Sequence, residues 1–297
     1  MCKIDGTSRS WERVRRLMAV AVGLCVSLGA WANGVLTIVD GEATVIDGAR
    51  SWQAIEGMAI GKDSIVRTTA RTQILRVEWP DGTVADLGPE TTAMFEPSGL
   101  AARGAKPPLL YLLRGWAKLG SRDKTANPGL TLPALTVQPF KGALVANLTA
   151  EQTWVFAESG ALQVTERDLR PPVTLAMKGG QSYERIGQAK GAVAARPTAA
   201  QMHRVPRGFR DTLPLRLEAV KDRQVEPQPA PLPSYEELAE WLSAEPAIRR
   251  AFPRRFAARA RESAFRSGLA QHLGQHPEWE PVLFPERFIK PTPSPSR

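Results

Sequence analysis

From Asn33 to about Ala195 the apolar residues fall in short, β-branched runs separated by Gly, Pro and Asp, a pattern of strands and turns. GVLTIVD (34–40) and EATVIDG (42–48), joined across Asp40-Gly41, predict a hairpin. Further runs follow at 64–69, 91–95, 109–120, 135–139, 153–160, 161–167 and 173–178. No convincing helical period interrupts them before about residue 198. Short strands at such regular spacing predict an antiparallel sandwich, barrel or solenoid. Two longer breaks, Glu96 to Pro108 and Ser121 to Pro133, are rich in Gly, Pro and small residues and read as mobile loops of the kind that often carry function.

The best specified stretch is RTQILRVEWPDGTVADLGPETTAMFEP (71–97). In Trp79-Pro80-Asp81-Gly82, Pro presets φ, Asp tolerates the bridge region and Gly supplies the left-handed residue of a bulge. That predicts a three-residue hairpin loop with Trp79 opposite Thr83, Val77 opposite Ala85 and Leu75 opposite Leu87. A two-residue Asp81-Gly82 turn would instead set Val77 against Asp86, so the apolar pattern selects the bulged register.

Past Ala195 the pattern changes. MHRVPRGFRDTLPLRLEAVKDR (202–223) is basic and weakly periodic, and QVEPQPAPLP (224–233) has Pro at every second position from 227, the composition of a stiff spacer. Ser234 stands three residues before Glu237 as in a capping box, and Tyr235, Leu238, Trp241 and Leu242 continue at helical spacing,. A second short helix is expected over Ala247–Phe252 and a longer one from about Pro253 to Gln275, with Phe256, Ala260, Ala264, Phe265, Leu269 and Leu273 as its apolar side,. The tail then brings Trp279, Leu283, Phe284 and Phe288 to cover that side. The fold class expected is mainly β with a small C-terminal α part: a β-domain (33–195), a basic then Pro-rich linker (196–233), a small basic helical domain (234–290) and a disordered tail (291–297).

The amino terminus changes every count. Residues 1–16 hold five basic against two acidic side chains, and 17–32 carry no charge. A basic n-region, a 16-residue apolar run and Ala30-Trp31-Ala32 read as a signal peptide (1–32) cleaved between Ala32 and Asn33,. The apolar run is shorter than the ~20 residues that span a bilayer, and Leu24 before Cys25 argues against lipidation. Membrane contact is then transient, through the signal alone, and the location is periplasmic. Both cysteines, Cys2 and Cys25, would be removed, leaving no thiol nucleophile, disulfide or Cys-based zinc site. The whole chain carries a formal charge of +9. With the signal's +3 removed, +6 remains, split as +2 over 33–198 and +4 over 199–297. A basic exported protein meets anionic envelope surfaces rather than nucleic acid.

The order GVLTIVDGEATV, then GMAIGKDSIVRTTARTQILRVEWPDGTVADLGPETTAMFEP, then LRGWAKL, LTVQPFKGALVAN, TWVFAESGALQVTE and VTLAMKGGQSYE resembles the FecR-like periplasmic domain. The resemblance covers about half of the chain, from roughly 34 to 190. FecR proteins proper are transmembrane transducers whose cytoplasmic part governs a sigma factor. Only 16 residues precede the apolar run here, so the resemblance implies the exported β-domain as a binding, signalling or structural module, with no family catalytic residue to carry over.

Seven arginines, Arg249, Arg250, Arg254, Arg255, Arg259, Arg261 and Arg266, stand between Pro246 and Ala270 against one acid, Glu262. At helical spacing Arg250, Arg254 and Arg261 share one face, and Arg255, Arg259 and Arg266 the next. Such a surface suits an acidic protein or an anionic envelope polymer; the plainer reading is a solvated face whose arginine stems cover apolar surface. His272 and His276, at i and i+4, are weak metal candidates, since no third ligand accompanies them, and imidazoles meeting free carbonyls at a helix end explain them more simply. No cofactor motif is present. Glu78 with Asp86, or Asp81 with Glu90, could pose as a glycan hydrolase's carboxylates, but charges alternating on the wet face of a hairpin are what an amphipathic ribbon has anyway. The expectation is a non-enzymatic binding module, with a peptidoglycan- or glycan-acting accessory or a membrane-tethered transducer as the alternatives.

Overall fold

The computed structural model describes residues 33–101, 106–121 and 128–288. The expected signal peptide with its Ala32 cleavage position, both cysteines, the centres of the two long breaks and the expected 291–297 tail lie outside those residues. Among the described residues no helix is long and apolar enough to cross a membrane. From Gly34 onward the chain forms one compact unit.

The chain is mainly β. Its strands are β1 (Gly34–Asp40), β2 (Ala43–Asp47), β3 (Arg50–Gln53), β4 (Ala59–Ile60), β5 (Ile65–Thr68), β6 (Ile74–Glu78), β7 (Thr83–Leu87) and β8 (Thr92–Phe95). There follow β9 (Leu110–Ser121), β10 (Leu130–Thr131), β11 (Leu135–Leu148), β12 (Gln152–Glu166), β13 (Val173–Lys178), β14 (Ser182–Ile186), β15 (Ala192–Ala194) and β16 (Pro229–Ala230). Pairing is antiparallel except between β9 and β10.

One continuous sheet folds into two layers because its long strands serve both. The first half of β9 pairs with β8 and its second half with β7. β12 pairs with β14 at its start and with β13 at its end. In β11 and β12 the change of layer comes where Gly142 faces Gly160. Gly160 has φ +78°, and a Cβ there would lie 1.9 Å from the Lys141 carbonyl oxygen, so only glycine fits this crossing.

Apolar residues from both layers form the central core. Leu36, Val77, Leu87 and Leu119 come from one layer and Val45, Val66, Phe95 and Leu112 from the other. The outward faces are covered as well. Ile46, Ile65, Met94 and Tyr111 pack beneath the C-terminal helical region with Leu238, Trp241, Phe252 and Phe256. On the opposite face Ile74, Val145 and Trp154 pack beneath Val205 and Phe209.

The WPDGT loop has the bulged register. Leu75 lies opposite Leu87 and Val77 opposite Ala85, Trp79 N–H donates to the Thr83 carbonyl at 2.9 Å, and Gly82 sits at φ +76°. Three other expectations fail. GVLTIVD and EATVIDG do not form a hairpin: β1 pairs with β4 and β6, whereas β2 pairs with β3 and β5. Gly41, at φ +113° and against the backbone of Thr72, carries the chain from one layer to the other. Residues 196–233 are not a free spacer. They lie on the β-layers, first through short helices at Ala199–Arg204 and Arg207–Arg210, then through β16, where Pro229 and Ala230 pair with Trp52 and Ser51.

The third failure is the long helix over 253–275. The chain makes helices at Phe252–Arg255 and Ser263–Gln271 with 3-10 turns at Arg259–Arg261 and Leu273–Gln275. Phe256 and Phe265 are nine residues apart, which on one straight helix of 3.6 residues per turn puts them on opposite sides. The break lets both enter the same core, at 0% and 3% exposure. The capped helix does form, as Tyr235–Leu242, with Ser234 and Glu237 completing both bonds of the box.

Candidate functional site

The arginine run is divided by its surroundings. Arg249 bridges to Glu278 at 3.3 Å and also donates to the Gln275 carbonyl. Arg259 pairs with Glu262 and donates to the Pro233 carbonyl at 2.8 Å, its guanidinium lying over the Phe265 ring. Arg266 donates to the Leu283 carbonyl. These arginines tie the helical region together, so their charges are already engaged. Arg250, Arg254 and Arg261 are exposed, with no hydrogen bond or ion pair among the described residues. Arg250 and Arg254 keep helical spacing, since Arg250 and Ala251 both have αR backbone. The break after Phe256 takes Arg261 off that face.

Arg255 is different in kind. Its Nε donates to the Gly48 carbonyl at 2.6 Å, Nη1 to that of Asp63 at 2.7 Å and Nη2 to that of Ile46 at 2.9 Å. It has no carboxylate partner among the described residues. Burial lowers its pKa, against the attraction of Asp63 and Asp47. This guanidinium binds the helical region to the ends of β2 and of the β4–β5 turn.

Beside it is a cleft of about 430 Å³ between the sheet and the helical run 246–255. Met94, Ile248 and Phe252 supply apolar wall, and Lys62, Arg254 and Asp47 supply charge. Asp63 adopts φ +60°, a conformation its short polar side chain tolerates. Its N–H reaches the Phe95 carbonyl at 2.8 Å and its Oδ1 accepts from Ser98 N–H at 2.8 Å, holding the Pro97–Gly99 turn against the cleft. Lys62 and Arg254 have no partner among the described residues. Of the cleft's charged groups, sequence reasoning named only Arg254 and Arg255; Asp47 ends β2 and Lys62 lies in a turn, both distant in sequence and without periodic signal.

The helical region is fixed to the β-layers by further pairs. Arg167 forks onto both oxygens of Glu245 at 2.9 Å each, Arg67 meets Glu237 at 2.7 Å and Arg114 meets Glu240 at 2.7 Å. Burial, followed by the charge of Glu245, holds the nearby Tyr111 hydroxyl far above its ordinary value.

His272 and His276 flank Tyr235. The His272 ring stacks on it with centroids 5.6 Å apart, and the His276 ring is tilted against it at 6.0 Å. His276 is fully buried, with Nε2 3.2 Å from the Leu269 carbonyl oxygen. Burial lowers its pKa, against that hydrogen bond. Among the described residues no group of three or more His, Cys, Asp or Glu is placed to hold a metal.

Glu78 and Asp86 are not on a wet face. They are 1% and 2% exposed because residues 205–217 cover that side of β6 and β7. Glu78 accepts from Thr37 Oγ1 at 2.9 Å and from the N–H groups of Arg216 and Leu217 at 3.0 and 2.9 Å. Asp86 takes both arms of Arg76, at 2.6 and 2.8 Å. Arg76 also donates to the Leu213 carbonyl at 3.3 Å, and Lys118 to that of Phe209 at 2.7 Å. Glu78 is spent on holding main chain, and Asp86 on pairing the Arg76 that itself donates to main chain. Asp81 stands apart on the hairpin tip, its Oδ1 accepting from Thr83 N–H at 2.9 Å.

No protein-family model matches the chain, and no curated protein matches it. Two crystal structures of a putative anti-sigma factor from Parabacteroides distasonis, at 2.50 and 1.65 Å resolution, are similar to it at 14% and 13% identity, each with a TM-score of 0.36 over 44% of this chain. The chain spans 59% of the length of those proteins. At that TM-score no residue role passes from them to this chain.

Proposed function

We propose that this protein is an exported, periplasmic, non-enzymatic binding module of the FecR-like kind. Its doubly covered sandwich is the scaffold and its helical region presents the contact surface for an anionic envelope partner, either an acidic protein or a charged polymer. The observation that carries the reading is the division of the arginine run: four arginines are used internally, whereas Arg250, Arg254 and Arg261 stand exposed with no internal partner among the described residues. Guanidinium groups left free at a surface bind carboxylate or phosphate bidentately.

The test is affinity capture of the exported protein's partners from envelope extracts. Capture at low salt should fall as ionic strength rises and the Debye length shrinks from about 10 Å toward 3 Å, and Arg250→Glu with Arg254→Glu should abolish it. Capture that ignores salt and survives the double substitution overturns the reading. Amino-terminal sequencing of the exported protein should begin at Asn33; an intact Met1 would make it membrane-tethered instead. Peptidoglycan turnover lost on Glu78→Gln would make it an enzyme.

A further inference from the structure

The cleft beside Arg255 holds an unbalanced set of charges. Arg255 is half-buried against three carbonyl oxygens with no hydrogen-bonded carboxylate among the described residues, only the nearby charges of Asp63 and Asp47, and a partly desolvated cation without a direct ion pair favours an anion nearby. Lys62 and Arg254 line the same cleft, unpartnered among the described residues. Against these three cations stand two carboxylates, Asp47 and Asp63, and one oxygen of Asp63 is committed to Ser98 N–H. The set is one positive charge in excess. It therefore calls for a single negative charge, and a phosphate dianion would overshoot it.

The rest of the wall is apolar, through Met94, Ile248 and Phe252. A volume of about 430 Å³ lies within the ~300–1,000 Å³ of ligand sites. A ligand that fits has one carboxylate attached directly to an apolar body. We infer that the cleft binds the free C-terminal carboxylate of a peptide whose last residue is apolar. The carboxylate lies between Lys62 and Arg254 in the field of Arg255, the last side chain rests on Phe252, Ile248 and Met94, and Asp47 accepts a peptide N–H. The inference rests on the binding-module reading and names one ligand class for it.

The probe is acetyl-Ala-Ala-Leu with a free C-terminus, titrated against the exported full chain and compared with the same peptide as its C-terminal amide and with inorganic phosphate. The free acid should bind at least ~10-fold more tightly than the amide, as expected for loss of a charge-assisted contact. Lys62→Ala and Arg254→Ala should each weaken it by about 10-fold. Ala251→Trp, which fills the cleft from the exposed side of the helical run without changing charge, should abolish peptide binding and leave salt-sensitive envelope capture intact. Unchanged melting curves verify that each variant is folded. Equal binding of acid and amide, absence of binding by the acid, or displacement by phosphate at peptide-like concentrations overturns the inference. Those failures are separable from that of the proposed function, because envelope capture is read in the Ala251→Trp protein, where the cleft is closed and the exposed arginines remain.

Discussion

The two outer faces of the sandwich are both buried, with different shares of apolar and polar contact. Beneath the helical region the sheet presents Ile46, Ile65, Met94 and Tyr111 to Trp241, Leu242, Phe252 and Phe256, so side chains meet side chains. Beneath residues 205–217 it presents, beside Ile74, Val145 and Trp154, the charged Arg76, Glu78, Asp86 and Lys118, and three of these grip main-chain N–H and C=O groups of the covering segment. A short irregular cover has few apolar side chains to bury and many backbone groups to satisfy, and charged sheet residues meet that need. The lesson is that alternating charge on a ribbon does not identify a solvent face. It identifies a face where polar groups are needed.

The comparison breaks most sharply at its two centres. Trp241→Ala should destabilise the chain by about 3–5 kcal/mol through the cavity left in the helical interface. Asp86→Ala should cost about 3–5 kcal/mol by a different route, leaving Arg76 buried and uncompensated. Denaturant unfolding measures both. The mechanisms separate in the double variant Arg76→Met, Asp86→Leu, which should recover most of the Asp86→Ala loss, since well-packed apolar pairs replace buried ion pairs at little cost. No second substitution in the sheet should rescue Trp241→Ala so completely. Failure of the double variant to recover would mean that Arg76 matters chiefly through the Leu213 carbonyl.

A smaller effect is expected from Glu78→Gln. The substitution keeps the shape but removes the charge, so the N–H groups of Arg216 and Leu217 share a neutral amide oxygen and Thr37 Oγ1 must accept from the amide rather than donate. About 1–3 kcal/mol should be lost, and limited proteolysis should begin within 205–223 rather than in the helical region. Cleavage starting instead near the helices would show that the cover does not depend on Glu78.

Legibility in the sequence followed the same division. The WPDGT register, Ser234–Glu237 and most strands could be read because each depends on residues adjacent in the chain or across one turn. The pairing of β1 with β6 rather than β2, the burial of Glu78 and Asp86 and the docking of the Pro-rich segment on β3 depend on partners about 30 to 180 residues away, for which local pattern holds no signal. Of the candidate site, the free and engaged arginines divide nearly as the two helical faces read from spacing, with Arg250, Arg254 and Arg261 on one and Arg255, Arg259 and Arg266 on the other. The cleft was hidden because Asp47 and Lys62 reach it from the end of β2 and from a turn, some 200 residues before Arg254.

The smallest effect, and the one that sharpens the contrast, is on pH. Beneath residues 205–217 burial also pushes the Asp86 carboxyl up, but the paired Arg76 opposes that shift, whereas in the helical region burial acts on His276, which forms no ion pair among the described residues. Burial lowers the pKa of His276 from its ordinary 6.5, with the charges of His272 and Arg249 acting the same way and the Leu269 carbonyl and Glu278 opposing. The folded value lies below the unfolded one, so the unfolded chain takes up its proton first as pH falls. The stabilisation is complete above about 6.5 and declines as pH drops through the folded value. Acidification from about pH 7 to pH 5 should therefore lower the melting temperature of the native chain more than that of His276→Gln, whose amide can still donate to the Leu269 carbonyl but does not titrate. Parallel pH profiles would mean that the proton finds His276 as readily in the folded chain as in the unfolded one.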